Sequence, residues 1–136
     1  MQPRTRFLAR LFGLFLAIVG VEMLTAEPGM VAVADSLVHD RAATLVVSLV
    51  CLAAGLATVL GHNIWSGGAA TVLVTVLGWL LVLRGILLLF LPPRALQAMV
   101  AVVGGPVWIY IAGTIVLGLG AYLTYAGFTA PQPRKS

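Results

Sequence analysis

A chain of 136 residues with 61% hydrophobic side chains, 9% charged ones and a mean hydropathy of +1.10 is too apolar for a soluble domain and too short for several domains. Its net charge of +4 does not point to nucleic acid, because the basic residues gather at the two ends (Arg4, Arg6, Arg10; Arg134, Lys135) and are otherwise scattered singly. Bilayer topology accounts for that distribution. The single cysteine, Cys51, lies in an apolar run, has no internal disulfide partner and reads as a small core residue.

A helix crossing the hydrocarbon core needs about 20 apolar residues. Four stretches supply them, at about Phe7 to Ala26, Ala42 to Gly61, Ala69 to Leu91 and Pro106 to Gly127. The first has the basic start and apolar core of a signal peptide. Leu24 nevertheless stands where a cut after Ala26 would want a small residue, and Glu22 interrupts the core, so the sequence predicts an uncleaved helix. Between the first and second spans, Met30 to Val38 is apolar enough to lie at the interface as a short helix. The loop His62 to Gly68 is short and uncharged. Pro92 and Pro93 end the third span, and Gly104, Gly105 and Pro106 end the segment before the fourth. Arg94 to Val103, between them, is too short to cross and is expected on the membrane surface or dipping into it.

The fold class read from this pattern is all-α: a polytopic membrane protein whose residues 1–136 form one membrane domain, a compact bundle of four transmembrane helices. The lysine and arginine distribution predicts that both termini lie on the cytoplasmic side of the membrane, and the basic ends suit an anionic leaflet. Gly13 to Leu24 aligns without gaps on Gly78 to Leu89, matching Gly13 with Gly78 and Gly20 with Gly85; Gly55 matches Gly118 at nearly the same offset. These matches predict a parallel duplication of a helical hairpin. Lipid supplies no hydrophobic drive between helices, so small residues mark the contact faces. Those faces are Gly13, Ala17 and Gly20 on the first span, Ala53, Ala57 and Gly61 on the second, and Gly113, Gly120 and Gly127 on the fourth. Trp108 and Tyr110 at one end of the last span, with Tyr122, Tyr125 and Phe128 at the other, read as interfacial anchors.

Charges inside the membrane are the sharpest functional signal. Glu22 and Arg84 lie equally far along the first and third spans, and in the repeat register Arg84 falls on Val19, one turn from Glu22. An ion pair between them is therefore expected, either fixing helix register or lining a path for something polar; a second structural option has Arg84 snorkelling to headgroups. At the far end of the second span, His62, Asn63 and Trp65 form a polar group. His62 and Trp65 share a face if the helix continues, and Asn63 can cap or turn the chain. The histidine is expected to fix the loop by a hydrogen bond, with proton sensing as the sharper alternative. Trp79, near the middle of the third span, packs on a glycine face or lines a cavity.

The run GHNIW followed by TVLGWLLVLRGILLLFLPP resembles an uncharacterised group of small bacterial four-helix integral membrane proteins. In that group an HN-x-W turn precedes a T-x-x-GW helix, a basic residue before Gly, and a closing Pro. The resemblance covers Gly61 to Pro93 and implies that His62, Asn63, Trp65, Gly78, Trp79, Arg84, Gly85 and Pro92 are shared positions. It implies no activity.

The sequence offers no nucleotide-binding glycine loop, clustered metal ligands or Ser-His-Asp set. No catalytic residue, metal or cofactor is therefore expected, and the protein is read as non-enzymatic. The candidate binding residues are Glu22, Arg84, His62, Asn63, Trp65 and Trp79. The reading favoured is an accessory or structural membrane protein whose partners are membrane lipids and either its own copies or a larger membrane complex, with no nucleic acid. One alternative is a small transporter or channel using Glu22 and Arg84. Its outline resembles the small multidrug resistance transporters, but Glu22 lies off centre and Arg84 would neutralise it. The other is a lipid or quinone binder with Arg84 on the headgroup and Trp79 beside the tail.

Overall fold

The computed structural model describes residues 2–25 and 27–129; Ala26 and the basic Arg134 and Lys135 lie outside the described residues. Six helices follow in order: α1 (Pro3–Thr25), α2 (Glu27–His39), α3 (Arg41–Gly61), α4 (Ala69–Phe90), α5 (Pro93–Val103) and α6 (Pro106–Thr129). Four of them, α1, α3, α4 and α6, are long and apolar enough to cross a membrane. The short α2 and α5 confirm the two segments expected to lie outside the spans. The boundaries have local causes. Proline opens α1, α5 and α6, where its fixed φ suits the first turn and no N–H is missed. Asp40 caps α3, its carboxylate accepting from the N–H groups of Ala42 and Ala43 at 2.9 and 3.2 Å. Thr44 donates to the Leu37 carbonyl at 2.6 Å and so ties α3 to α2.

The crossings pack as two antiparallel pairs, α1 with α6 and α3 with α4. Glycines set the close approach in both. A Cβ on Gly13 would stand 2.5 Å from the Thr124 nitrogen, and one on Gly20 would stand 2.7 Å from that of Leu117. In the other pair a Cβ on Gly55 would stand 2.5 Å from the Val82 nitrogen, and one on Gly85 would stand 2.7 Å from that of Leu52. Gly120 meets Ala17 in the same manner.

These contacts repeat at one constant spacing. Gly13 and Gly78, Gly20 and Gly85, Leu52 and Leu117, and Gly55 and Gly120 are each 65 positions apart. The same spacing carries α1 onto α4, α2 onto α5 and α3 onto α6. Burial follows it as well: Thr5 and Ala70, Ala9 and Val74, Thr44 and Ile109, Ser48 and Gly113, Thr58 and Leu123, and His62 and Gly127 are all buried pairs. The chain is built as two register-matched three-helix units, related by an approximate twofold along the helix direction. The unit does not close on itself: the first helix of each copy pairs with the last helix of the other.

Two expectations are corrected. Gly55 corresponds to Gly120, not to Gly118, beside which an added Cβ would meet open space. On α3 the contact face is Leu52, Gly55, Thr58 and Val59, whereas Ala53, Ala57 and Gly61 are exposed. The faces expected on α1 and α6 are the ones used, and they meet each other.

The central cluster lies across the axis near the start of α1. Ala9, Ala70, Val74 and Leu123 are buried there, flanked by Leu8 and Phe12 and by their counterparts Leu73 and Leu77. At the opposite end the axis passes between α2 and α5, which touch one another.

Candidate functional site

The candidate residues fall at the two ends of the molecule. At the end where α1 begins, His62 stops α3 as its C-cap and turns inward, becoming almost fully buried at 2% exposure. Its Nδ1 faces the Thr5 hydroxyl at 3.5 Å and its Nε2 faces the Thr71 carbonyl at 3.4 Å, both long contacts. The carbonyl can only accept, so the ring donates from Nε2, and Nδ1 is paired with the Thr5 hydroxyl, which can donate or accept. The imidazole thereby joins the start of α1 to the start of α4.

The rest of the loop is held by its own bonds. Thr75 Oγ1 donates to the Ile64 carbonyl at 2.8 Å and accepts from the Ile64 N–H at 3.2 Å. Asn63 Oδ1 accepts from the Trp65 indole at 2.9 Å. Gly67 and Gly68 take φ of 100° and 110°, a left-handed region that favours glycine. Because the helix ends at Gly61, His62 and Trp65 do not share a face: the histidine is buried and the tryptophan is 60% exposed. Thr5 and Thr71 carry no signal in the sequence, whereas Thr75 is the threonine of the T-x-x-GW run and stands at the register of Arg10. Each of these two side chains reaches a carbonyl just beyond or within the end of the facing helix: Thr75 reaches Ile64, and Arg10 Nε donates to Gly127 at 2.9 Å. Arg10 also stacks over Phe128, 4.4 Å from the ring centroid.

At the α2/α5 end, two apolar clefts of about 400 and 340 Å³ open beside Arg84. The first is walled by Leu80, Leu83, Leu87 and Leu88 of α4, by Leu96, Met99 and Val100 of α5, and by Val38 of α2. The second is walled by Met23 of α1, Val31 and Ala34 of α2, Met99, Val100 and Val103 of α5, and Ile109 of α6. Arg84 borders both. The clefts are approximate symmetry mates: Leu88, Leu96, Met99 and Val38 of the first stand at the register of Met23, Val31, Ala34 and Val103 of the second.

Arg84 and Glu22 do not form the expected ion pair. Among the described residues the one carboxylate engaged by a basic side chain is Asp35, whose Oδ1 lies 3.7 Å from His39 Nδ1. Glu22 is exposed on α1 and borders neither cleft, and Trp79 also borders neither. No group of three or more His, Cys, Asp or Glu side chains suited to a metal ion occurs among the described residues.

Four helices long and apolar enough to cross a membrane, packed in two antiparallel pairs with two shorter helices, define a small polytopic α-helical membrane protein. No protein-family model, curated protein or solved structure matches the chain.

Proposed function

We propose that the chain is an accessory integral membrane protein that acts by helix packing with a second copy of itself, without catalytic chemistry of its own. The observation that supports this is the exposed face of α3. Ala53, Ala57 and Gly61 recur every fourth residue, and a Cβ on Gly61 would meet nothing within 4 Å. The glycines facing a partner helix elsewhere, Gly13, Gly20, Gly55, Gly78, Gly85, Gly113, Gly120 and Gly127, already meet that partner within the chain. A spare face of this type lets a further helix approach closely in lipid.

Placement in a bacterial inner membrane with both termini cytoplasmic belongs to the same proposal. It is supported by Arg4, Arg6 and Arg10 at the α1 start and by the resemblance of Gly61 to Pro93 to small bacterial membrane proteins. A transport role for Glu22 and Arg84 gains no support, because the two share no cavity.

Disulfide trapping in native membranes tests the proposal. With Cys51→Ser as background, Ala57→Cys should cross-link into a dimer on mild oxidation, while Gly118→Cys, exposed on α6, should not. Absence of the Ala57→Cys dimer, or equal trapping by both variants, contradicts it.

A further inference from the structure

We infer that the paired clefts at the α2/α5 end seat one anionic diacyl phospholipid, with its phosphate on the Arg84 guanidinium and one acyl chain along each cleft. The first ground is that packing does not require the cation. In the other copy the same register position is Val19, and both copies pack through the same flanking glycines, Gly20 and Gly85. A guanidinium placed where the fold accepts valine calls for a counter-charge.

The second ground is that no described side chain supplies one. Asp35 faces His39, Glu22 borders neither cleft, and Arg84 makes no hydrogen bond or ion pair with a described side chain. A phosphate offers two oxygens to the planar fork of an arginine and fits it better than a single acceptor does.

The third ground is geometry. Arg84 lies six residues before the last residue of α4, Phe90, about 9 Å along the helix. A long basic side chain spans much of that depth toward the headgroup level while its stem stays in apolar surroundings. Two apolar clefts then flank one cation, and they share the Met99 and Val100 wall as well as four register-matched positions. That is the plan of a lipid with two chains and one phosphate. A single-chain amphiphile or a single-ring quinone would fill one cleft and leave its mate empty.

The seat is separate from the α3 face, so failure of either proposal leaves the other standing. Native mass spectrometry of the full chain released from nanodiscs of equal parts phosphatidylcholine and phosphatidylglycerol tests it. One phosphatidylglycerol per chain is expected to survive release. Arg84→Gln should lower its retention about tenfold or more, the scale of one charge-assisted contact. Met99→Trp fills the wall common to both clefts, keeps the arginine, and should lower retention comparably, so the seat stays testable if Arg84→Gln misfolds. Retention unchanged in both variants, or no retained lipid in the wild-type chain, overturns the inference. So does equal retention of phosphatidylcholine or of single-chain lysophosphatidylglycerol, or displacement by inorganic phosphate, which would reveal an anion site without chain seats.

Discussion

The half of the chain holding α1 to α3 and the half holding α4 to α6 bury most of the same register positions, yet they carry different chemistry. Gly13, Gly20, Leu52 and Gly55 recur as Gly78, Gly85, Leu117 and Gly120, because every one of these positions touches the facing helix. Away from those contacts the copies diverge. Arg84 stands against Val19, Glu22 against Leu87, Asp35 against Val100, and His62 against Gly127. Helix packing in lipid constrains the small residues that set backbone approach and leaves polar residues free to differ. The difference between the copies therefore marks the positions that the shared packing does not dictate: His62 is buried and makes contacts particular to its own copy, whereas Arg84 is exposed and no packing contact calls for its charge.

The comparison breaks most visibly at the glycines. Gly55→Leu and Gly120→Leu should each cost about 3 kcal/mol, measured as matching falls in the thermal midpoint in detergent; unequal falls would deny that the two sites are equivalent. Next comes His62, where one copy uses a ring and the other a glycine. His62→Ala empties a buried site and leaves Thr5 without its ring partner, with an expected loss of about 2 kcal/mol. A double-mutant cycle with Thr5→Val should show the two residues coupled, and simple additivity would contradict the contact.

Arg10→Met removes the bond to the Gly127 carbonyl at the end of α6 and the stacking on Phe128. Destabilisation of about 1 to 2 kcal/mol should appear in chemical denaturation. Asp40→Ala removes the side-chain cap of α3, a position occupied by Gly105 before α6, and should cost about 1 kcal/mol with faster amide exchange in the first turn of α3. The smallest effect sharpens the register itself. Gly118→Ala faces open space and should leave the midpoint unchanged or slightly raised, whereas a large loss there would restore Gly118 as the partner of Gly55.

Much of this architecture was legible in the residues. Uninterrupted apolar runs bounded by proline and glycine marked all four crossings, and the apolar stretches Met30 to Val38 and Arg94 to Val103 marked α2 and α5. The alignment of Gly13 to Leu24 on Gly78 to Leu89 carried the right spacing. It failed on the second pair because LGLG offers two glycines, and only contact with Ala17 distinguishes Gly120 from Gly118. The face of α3 was misread for a related reason: Ala53, Ala57 and Gly61 have the spacing of a packing stripe, but small size permits contact without requiring it.

The Glu22 to Arg84 pair fails because similar depth along two helices does not make neighbours: Arg84 stands at the register of Val19, and Glu22 at that of Leu87. A twofold axis makes two positions equivalent, and it brings them together only where they lie near the axis, as Leu8 and Leu73 do. The clefts themselves were out of reach of the sequence. They are walled by five different helices, and nothing local announces that Met23, Val31 and Met99 converge. Exchange of partners between the copies was also hidden, since the same glycine faces would serve a hairpin closed on itself.

That exchange is the central claim, and cutting the chain tests it most directly. Residues 1–66 and 67–136 would be co-expressed as separate polypeptides and isolated through a tag on one of them. If α1 pairs with α6 and α3 with α4, each fragment finds its glycine contacts only in the other. The two should then co-purify in equal amounts, and the complex should unfold as one unit. Recovery of the tagged fragment alone as a folded monomer, with α1 packed on α3, would contradict the exchanged arrangement.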